Sequence, residues 1–337
     1  MGGCKTFATA KRVLGFAFAA ALVLGEGIDA RAQTPKKTAR IGFVGQAKGT
    51  NLTEPSVIAF RQRLRDLGWI EGENLVVEWR FAEGAEERVR DFISDLVARK
   101  VDVLVATGGN PVRIARKATR TIPIVMTEHA NPVGEGLIAS LARPGGNITG
   151  MTSVRRELDG KRMELFKEVI PKLSHVGVLW QATRTTFAVD IAHVEPIAKR
   201  FGIALQSLGA RNIEEIDQIF QSVPKGQTAG VLVVQSQLIN SNKERIAEIA
   251  AKNRVPTIYP DRRYAFAGGF MSYGANTEEV YAQAAEVVIK ILKGASPAEL
   301  PVEQPNKFEW VINLKTAQQI GIKIPEDVLR WANVVIK

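Results

Sequence analysis

The chain has 337 residues, is 45% hydrophobic and 24% charged, and carries a formal net charge of +10. Its one cysteine, Cys4, excludes a disulfide framework. The basic excess does not read as a nucleic-acid footprint, because basic and acidic residues alternate along stretches such as RQRLRD and ERVRDFISDLVARK, the pattern of solvated helix faces.

The N-terminus sets the compartment. Lys5, Lys11 and Arg12 precede an uncharged apolar run from Val13 to Gly25, and Ala30-Arg31-Ala32 follows a short polar stretch. A positive region, an apolar region and an A-x-A site together predict a cleaved secretory signal peptide over residues 1–32. The apolar run of about 13 residues is too short for the roughly 20 that a membrane-spanning helix needs. Cys4 lies before that run, where it cannot serve as a lipid anchor, and it leaves with the signal. The mature chain of about 305 residues then has no cysteine, so thiol chemistry and Cys-ligated metal are excluded and its own core must hold it. Losing four basic and two acidic residues with the signal leaves a net charge of about +8. An exported chain without an anchor diffuses freely, which points to the periplasm.

From residue 40 strands and helices alternate. Apolar, β-rich runs at 40–45, 75–81, 102–106 and 122–126 are separated by helical patterns at 54–67, 86–99 and 111–120. Continuous apolar strands between amphipathic helices predict a parallel sheet covered on both faces. ARPGGNITG at 142–150 breaks the pattern. A second series follows, with strands at 175–180, 203–207, 229–234 and 256–259 and helices at 157–169, 185–200, 212–222 and 241–253. GGFMSYG (268–274) leads into a long helix at 277–293, two extended runs at 299–304 and 308–313, and helices at 315–321 and 325–332. The fold class is therefore α/β, with two Rossmann-like lobes rather than one large sheet.

Open parallel sheets collect ligands outside the carboxyl ends of their strands, so the turns after each strand hold the candidate binding residues. In the first lobe these are Gln46, the run Thr107, Gly108, Gly109 and Asn110, and then Glu128 and Asn131. Asn110-Pro111 and Asn131-Pro132 share a grammar, with Asn placed to cap a helix and Pro in its first turn. A helix start beside glycines leaves backbone N–H groups open to an anion such as a ligand carboxylate. In the second lobe the equivalent ends carry Gln181, Gln235 and Ser236, and then Asp261, Arg262 and Tyr264. Asp261 is placed to hold a ligand ammonium and Arg262 a carboxylate. Trp180 or Tyr264 offers a stacking surface, whereas Arg263 reads as a solvated charge.

Signatures of catalysis are missing: there is no G-x-S-x-G elbow, no G-x-G-x-x-G opening a helix and no phosphate-binding G-x-x-x-x-G-K-[ST] loop. His129, His175 and His193 lack metal-ligand spacing. No enzyme activity, metal or cofactor is expected.

Several segments together resemble one family. They include FRQRLRDLGWIEGENLVVEWRFAEG (60–84), DVLVATGG (102–109), NPVGEGLIASLARPGGNITG (131–150), GKRMELFKEVIPKLSHVGVLW (160–180), GGFMSYGAN (268–276) and AAEVVIKILKGASPAELPVEQPNKFEWVINLKTAQQIGI (284–322). In order, they cover nearly the whole mature chain, and they are similar to the bacterial ABC transporter substrate-binding proteins whose better-known members bind tryptophan or tyrosine. The resemblance implies a type I periplasmic-binding-protein fold, with three strands crossing between lobes near 148–153, 272–276 and 303–309. The lobes would then span 36–150 plus 275–304, and 151–274 plus 305–337. It also implies a ligand in the interlobe cleft, closed over by a bending hinge, and ABC permease subunits of the inner membrane as partners of a monomeric receptor. Two positions depart from the family pattern: Asn131 and Asn276 stand where D-P-V and S-Y-G-x-D carry aspartate, and Tyr273 of the second motif joins the candidate site. Asn keeps hydrogen-bonding capacity but cannot pair with an ammonium, so a carboxylate or neutral polar solute gains over a free amino acid. The leading expectation is a periplasmic solute receptor of an importer, binding an amino acid or an aromatic or other organic carboxylate. A ligand sensor for a membrane receptor and a secreted α/β enzyme stand as alternatives.

Overall fold

The computed structural model describes residues 38–46, 51–155, 157–182, 191–192, 194–224 and 228–337. The expected signal peptide lies outside these residues. Two sheets organise the rest.

The first sheet is parallel throughout, in the order β2-β1-β3-β4-β5. Its strands are β1 (Ala39–Gly45), β2 (Leu75–Phe81), β3 (Val103–Thr107), β4 (Ile124–His129) and β5 (Ile148–Thr152). Residues alternate between its faces as the pleat demands. Ile41, Phe43, Val103 and Val105 face a core shared with α1 (Pro55–Asp66) and with α10 (Thr277–Leu292) from far along the chain. Val44, Leu104 and Ala106 face the opposite core, with α2 (Glu86–Ala98) and α3 (Gly109–Ala118). Each large apolar side chain buried in this way contributes about 1.5–3 kcal/mol.

The second sheet has the order β12-β11-β10-β9-β8-β6-β7. β6 (His175–Gln181), β7 (Ala204–Ala210), β8 (Ala229–Val233), β9 (Thr257–Tyr259) and β10 (Met271–Ala275) are parallel. β11 (Phe308–Asn313) joins antiparallel to β10, and β12 (Val334–Ile336) pairs parallel to β11. One face carries α4 (Glu157–Val169), α5 (Glu195–Arg200), α11 (Leu314–Ile320) and α12 (Glu326–Trp331). The other carries α6 (Ile213–Ser222), α7 (Gln237–Ser241), α8 (Lys243–Lys252) and Tyr264 of the short α9 (Arg262–Phe266). Neither α9 nor β12 stands out in the sequence, because elements of five and three residues are shorter than any periodicity can register. The break read over 142–150 ends in β5, whose five residues are all buried.

The chain passes between the sheets three times: out of β5 into α4, out of β10 into α10, and through 303–307 into β11. These passes are tied together. Glu303 donates its N–H to the Gly150 carbonyl and accepts from the Thr152 N–H, both at 2.9 Å, and Asn276 donates to the Lys307 carbonyl at 3.0 Å. Two glycines permit the close approach. A side chain at Gly150, whose φ is +122°, would collide with the Met126 backbone, and one at Gly274 would collide with the Pro260 carbonyl.

Arg162 fastens this region. Its side chain is 1% exposed and pairs with Asp159 on the same helix. It also donates to the backbone carbonyls of Tyr273 (2.7 Å), Arg155 (3.0 Å) and Pro260 (3.1 Å). One guanidinium thus joins two of the crossing segments to the end of β9, a use that Arg's rigid fork of donors allows and Lys does not.

Candidate functional site

The carboxyl ends of the two sheets face each other across a cavity of about 450 Å³. Gln46, Thr107, Gly108, Gly109, Asn110 and Glu128 line it from the first lobe, and Gln181, Gln235 and Ser236 from the second. Parallel strands explain this convergence, since every strand of such a sheet delivers its following turn to the same edge. Gln237 spans the gap. It accepts from Gln46 Nε2 at 2.9 Å and donates to the Gly84 carbonyl at 2.6 Å.

The two Asn-Pro turns do not behave as read from sequence. α3 begins at Gly109 with Gly108 as its cap residue and no side-chain cap, so Asn110 lies inside the first turn. Its Nδ2 is buried without a hydrogen-bond partner among the described residues. No helix follows Asn131-Pro132. The Asn131 side chain instead closes a turn by accepting the Gly134 N–H at 3.0 Å, and it is not among the residues lining the cavity. Short polar side chains form such turns as readily as caps.

The Asp261 segment is also corrected. Asp261, 4% exposed, caps α9 and forms a two-pronged pair with Arg263, whose Nε and Nη2 lie 3.0 and 2.8 Å from its oxygens. Burial pushes its carboxyl up, but the Arg263 charge and hydrogen bonds outweigh that and hold it below the usual carboxylate range. Arg263, not Arg262, lines the cavity. Successive helical residues point about 100° apart, so Arg262 turns away to Glu309 at 3.2 Å and lies over the Phe266 ring. Tyr264 is buried against Tyr259, with ring centroids 5.2 Å apart, and its hydroxyl bonds Asn240. Tyr273 stacks on Phe308. Neither tyrosine lines the cavity. Trp180 donates to Ser207 Oγ at 2.9 Å along the sheet.

Sequence reasoning missed most of the charged lining. Arg113, Glu135, Arg155, Asp159, Arg162 and Arg263 all reach the cavity. Arg113, Asp159, Arg162 and Arg263 lie on helices and Glu135 and Arg155 in connecting turns, and only the tertiary fold turns them inward. Arg155 pairs with Glu128 at 2.7 Å, and Arg113 with Glu135 at 3.0 Å. Glu128 sits at φ +60°, where β4 shifts register against β5. A β-bulge of this kind re-aims side chains beside functional sites.

His129 is 1% exposed and enclosed in the wall. Its Nδ1 accepts the Asn131 N–H at 3.2 Å, which places the ring proton on Nε2. That Nε2 has no hydrogen-bond partner among the described residues, and Glu135 stands 3.5 Å away. Burial pushes the imidazole's pKa down, the Glu135 charge opposes this, and the net shift is downward, so the ring stays neutral. Tyr281 also lines the cavity. Burial, aided by the Glu128 charge, pushes its phenol up to about 12, so it too is neutral. Among the described residues no group of three or more His, Cys, Asp or Glu could hold a metal.

Residues 54–336 match the family model described as ABC transporter substrate binding protein. The chain belongs to that family. Its members bind small ligands, partner with ABC permeases and typically work outside the cytoplasm. A tyrosine-binding protein of Clostridioides difficile is 27% identical over 81% of this chain and 78% of its own length. A conserved domain protein from Vibrio cholerae superposes with a TM-score of 0.78 at 27% identity, covering 89% of this chain and 100% of that one. A Streptococcus pneumoniae ABC domain solved in complex with L-Trp gives 0.79 at 23% identity, with the same coverage, and confirms the two-lobed fold. Among the described residues no helix of this family member is long and apolar enough to cross a membrane.

Proposed function

We propose that this chain is the solute-capturing subunit of an ABC importer, exported by its N-terminal signal and working in the periplasm as a monomer. Its lobes, 36–150 plus 275–304 and 151–274 plus 305–337, close on a small organic solute, which it passes unchanged to inner-membrane permease subunits. The observation that carries this reading is the cavity lined from both sheets' carboxyl ends and bridged by Gln237. A cleft of this size, closed over its ligand, supplies the roughly 8 kcal/mol that micromolar capture requires.

Native mass spectrometry of the protein purified from the periplasm of its own cell tests the proposal. The expected result is an N-terminus at Gln33 and a small molecule released on unfolding with its mass unchanged. Turnover of that molecule, or retention of residues 1–32, would overturn the reading.

A further inference from the structure

The charges on the cavity wall are unevenly spent. Each carboxylate among the described lining residues already holds an arginine: Glu128 holds Arg155, Glu135 holds Arg113, Asp159 holds Arg162, and Glu86 on the rim holds Arg90. The two positions where the family pattern carries aspartate are spent as well. Asn131 closes its own turn, and Asn276 caps α10 and bonds Glu309. A ligand ammonium therefore meets no carboxylate that lacks a cation. An incoming cation would have to share an existing partner and repel the arginine beside it.

The donors at the first-lobe wall are in the opposite state. Asn110 Nδ2 and His129 Nε2 are both buried, both donors and both without partners among the described residues. They converge on the start of α3: a Cβ on Gly109 would lie 3.5 Å from His129 Nε2. That helix runs ten residues and has no side-chain cap, so its first amides add their dipoles to the same spot. An unpaired buried donor is costly unless something arrives to accept from it. A carboxylate, with two oxygens and about four acceptor sites, is the group that satisfies all of them at once. Glu135 does not fill this role, because Arg113 draws it off and leaves Nε2 beyond hydrogen-bond range.

The rest of the cavity wall mixes polar side chains with Ala130, Val234 and Pro260. Tyr281 is the aromatic side chain among the described lining residues, and its ring, 5% exposed, belongs to the core beside Phe43 at 6.4 Å. Among the described lining residues no other aromatic ring of Phe, Tyr or Trp is present to stack on a ligand, whereas Gln181, Gln235 and Ser236 present polar groups toward ligand hydroxyls.

We propose that the α3 start, with Asn110 and His129, is a carboxylate subsite, and that the captured solute is a small hydroxylated carboxylic acid without an ammonium group. This rests on the solute-capture reading above. The test is titration calorimetry of the full mature chain with D-gluconate, L-malate and citrate in one arm and L-tyrosine and L-tryptophan in the other. At least one hydroxy acid binds at least tenfold tighter than either aromatic amino acid. Asn110→Asp, which sets a negative charge against the anion, and His129→Gln each weaken that binding by about tenfold or more. Circular dichroism and the ligand-free Tm of each variant report its folding, and two substitutions on different elements keep the test decisive if one misfolds. Preferential binding of tyrosine or tryptophan overturns the inference and leaves solute capture standing. Hydroxy-acid binding unchanged in both folded variants overturns the subsite. No binding in either arm counts against the inference and the capture reading together.

Discussion

The wall formed by α3 and β4 and the wall formed by α4 and the end of β9 face the same cavity but treat their polar groups in opposite ways. On the second wall, Arg162 is held by Asp159 and three carbonyls, and Arg263 is paired with Asp261. On the first wall, Asn110 and His129 present donors that find no acceptor among the described residues. Charges that are already paired hold shape, and buried donors without partners are the ones a ligand completes. A cleft that must keep its geometry and still bind needs both kinds, on separate surfaces.

The largest effect should come from breaking the second wall. Arg162→Met strands Asp159 in the interior and frees three carbonyls, that of Pro260 buried and those of Tyr273 and Arg155 partly so. We expect a loss of about 3–5 kcal/mol of stability, read by chemical denaturation, because removing one partner of a buried ion pair leaves an uncompensated charge. A loss below about 1 kcal/mol would show that Arg162 is not the fastening.

Next is the contact that spans both walls. Gln237→Ala removes the bridges to Gln46 and the Gly84 carbonyl. Each hydrogen bond contributes about 0.5–1.5 kcal/mol net, and less when exposed, so global stability should barely move while the population shifts toward the open cleft. Small-angle scattering of ligand-free protein checks this, and an unchanged radius of gyration would remove Gln237 from the closing contact.

The smallest effect separates the walls by pH. His129 is held neutral by burial, so its folded pKa lies below the unfolded value of about 6.5. As pH falls below about 6.5, the unfolded chain takes up a proton that the folded chain refuses, and stability drops. Asp261 has a lowered pKa, so its contribution is present above the ordinary carboxylate range and is lost only as pH falls through its folded value. A Tm scan from pH 7 to 5 should therefore decline in the parent chain and flatten in His129→Gln. Equal slopes in the two would break the assignment.

Much of the architecture was legible in the residues. Runs such as DVLVA and AGVLVV declare buried parallel strands, and the edge where ligands collect follows from strand direction alone. That rule leads to the turns Thr107–Asn110 and Gln235–Ser236, which line the cavity. Arg263 was not, because which of two adjacent arginines faces inward depends on the rotation of a five-residue helix that no periodicity announces. His129 stood within a flagged turn, but its burial and its proton position depend on the Asn131 N–H and on the packing of α3.

The sequence by itself determined the alternation of strands and helices, and with it two sheets whose carboxyl ends form a cleft. Those properties come from local periodicity and side-chain size. The tertiary structure alone decided how polar groups were divided between scaffold and site. Arg162 meets Pro260 and Tyr273 about a hundred positions away, and its pairing exists only once the crossings are formed. Composition counts donors and acceptors, but only the folded chain settles which remain for a ligand.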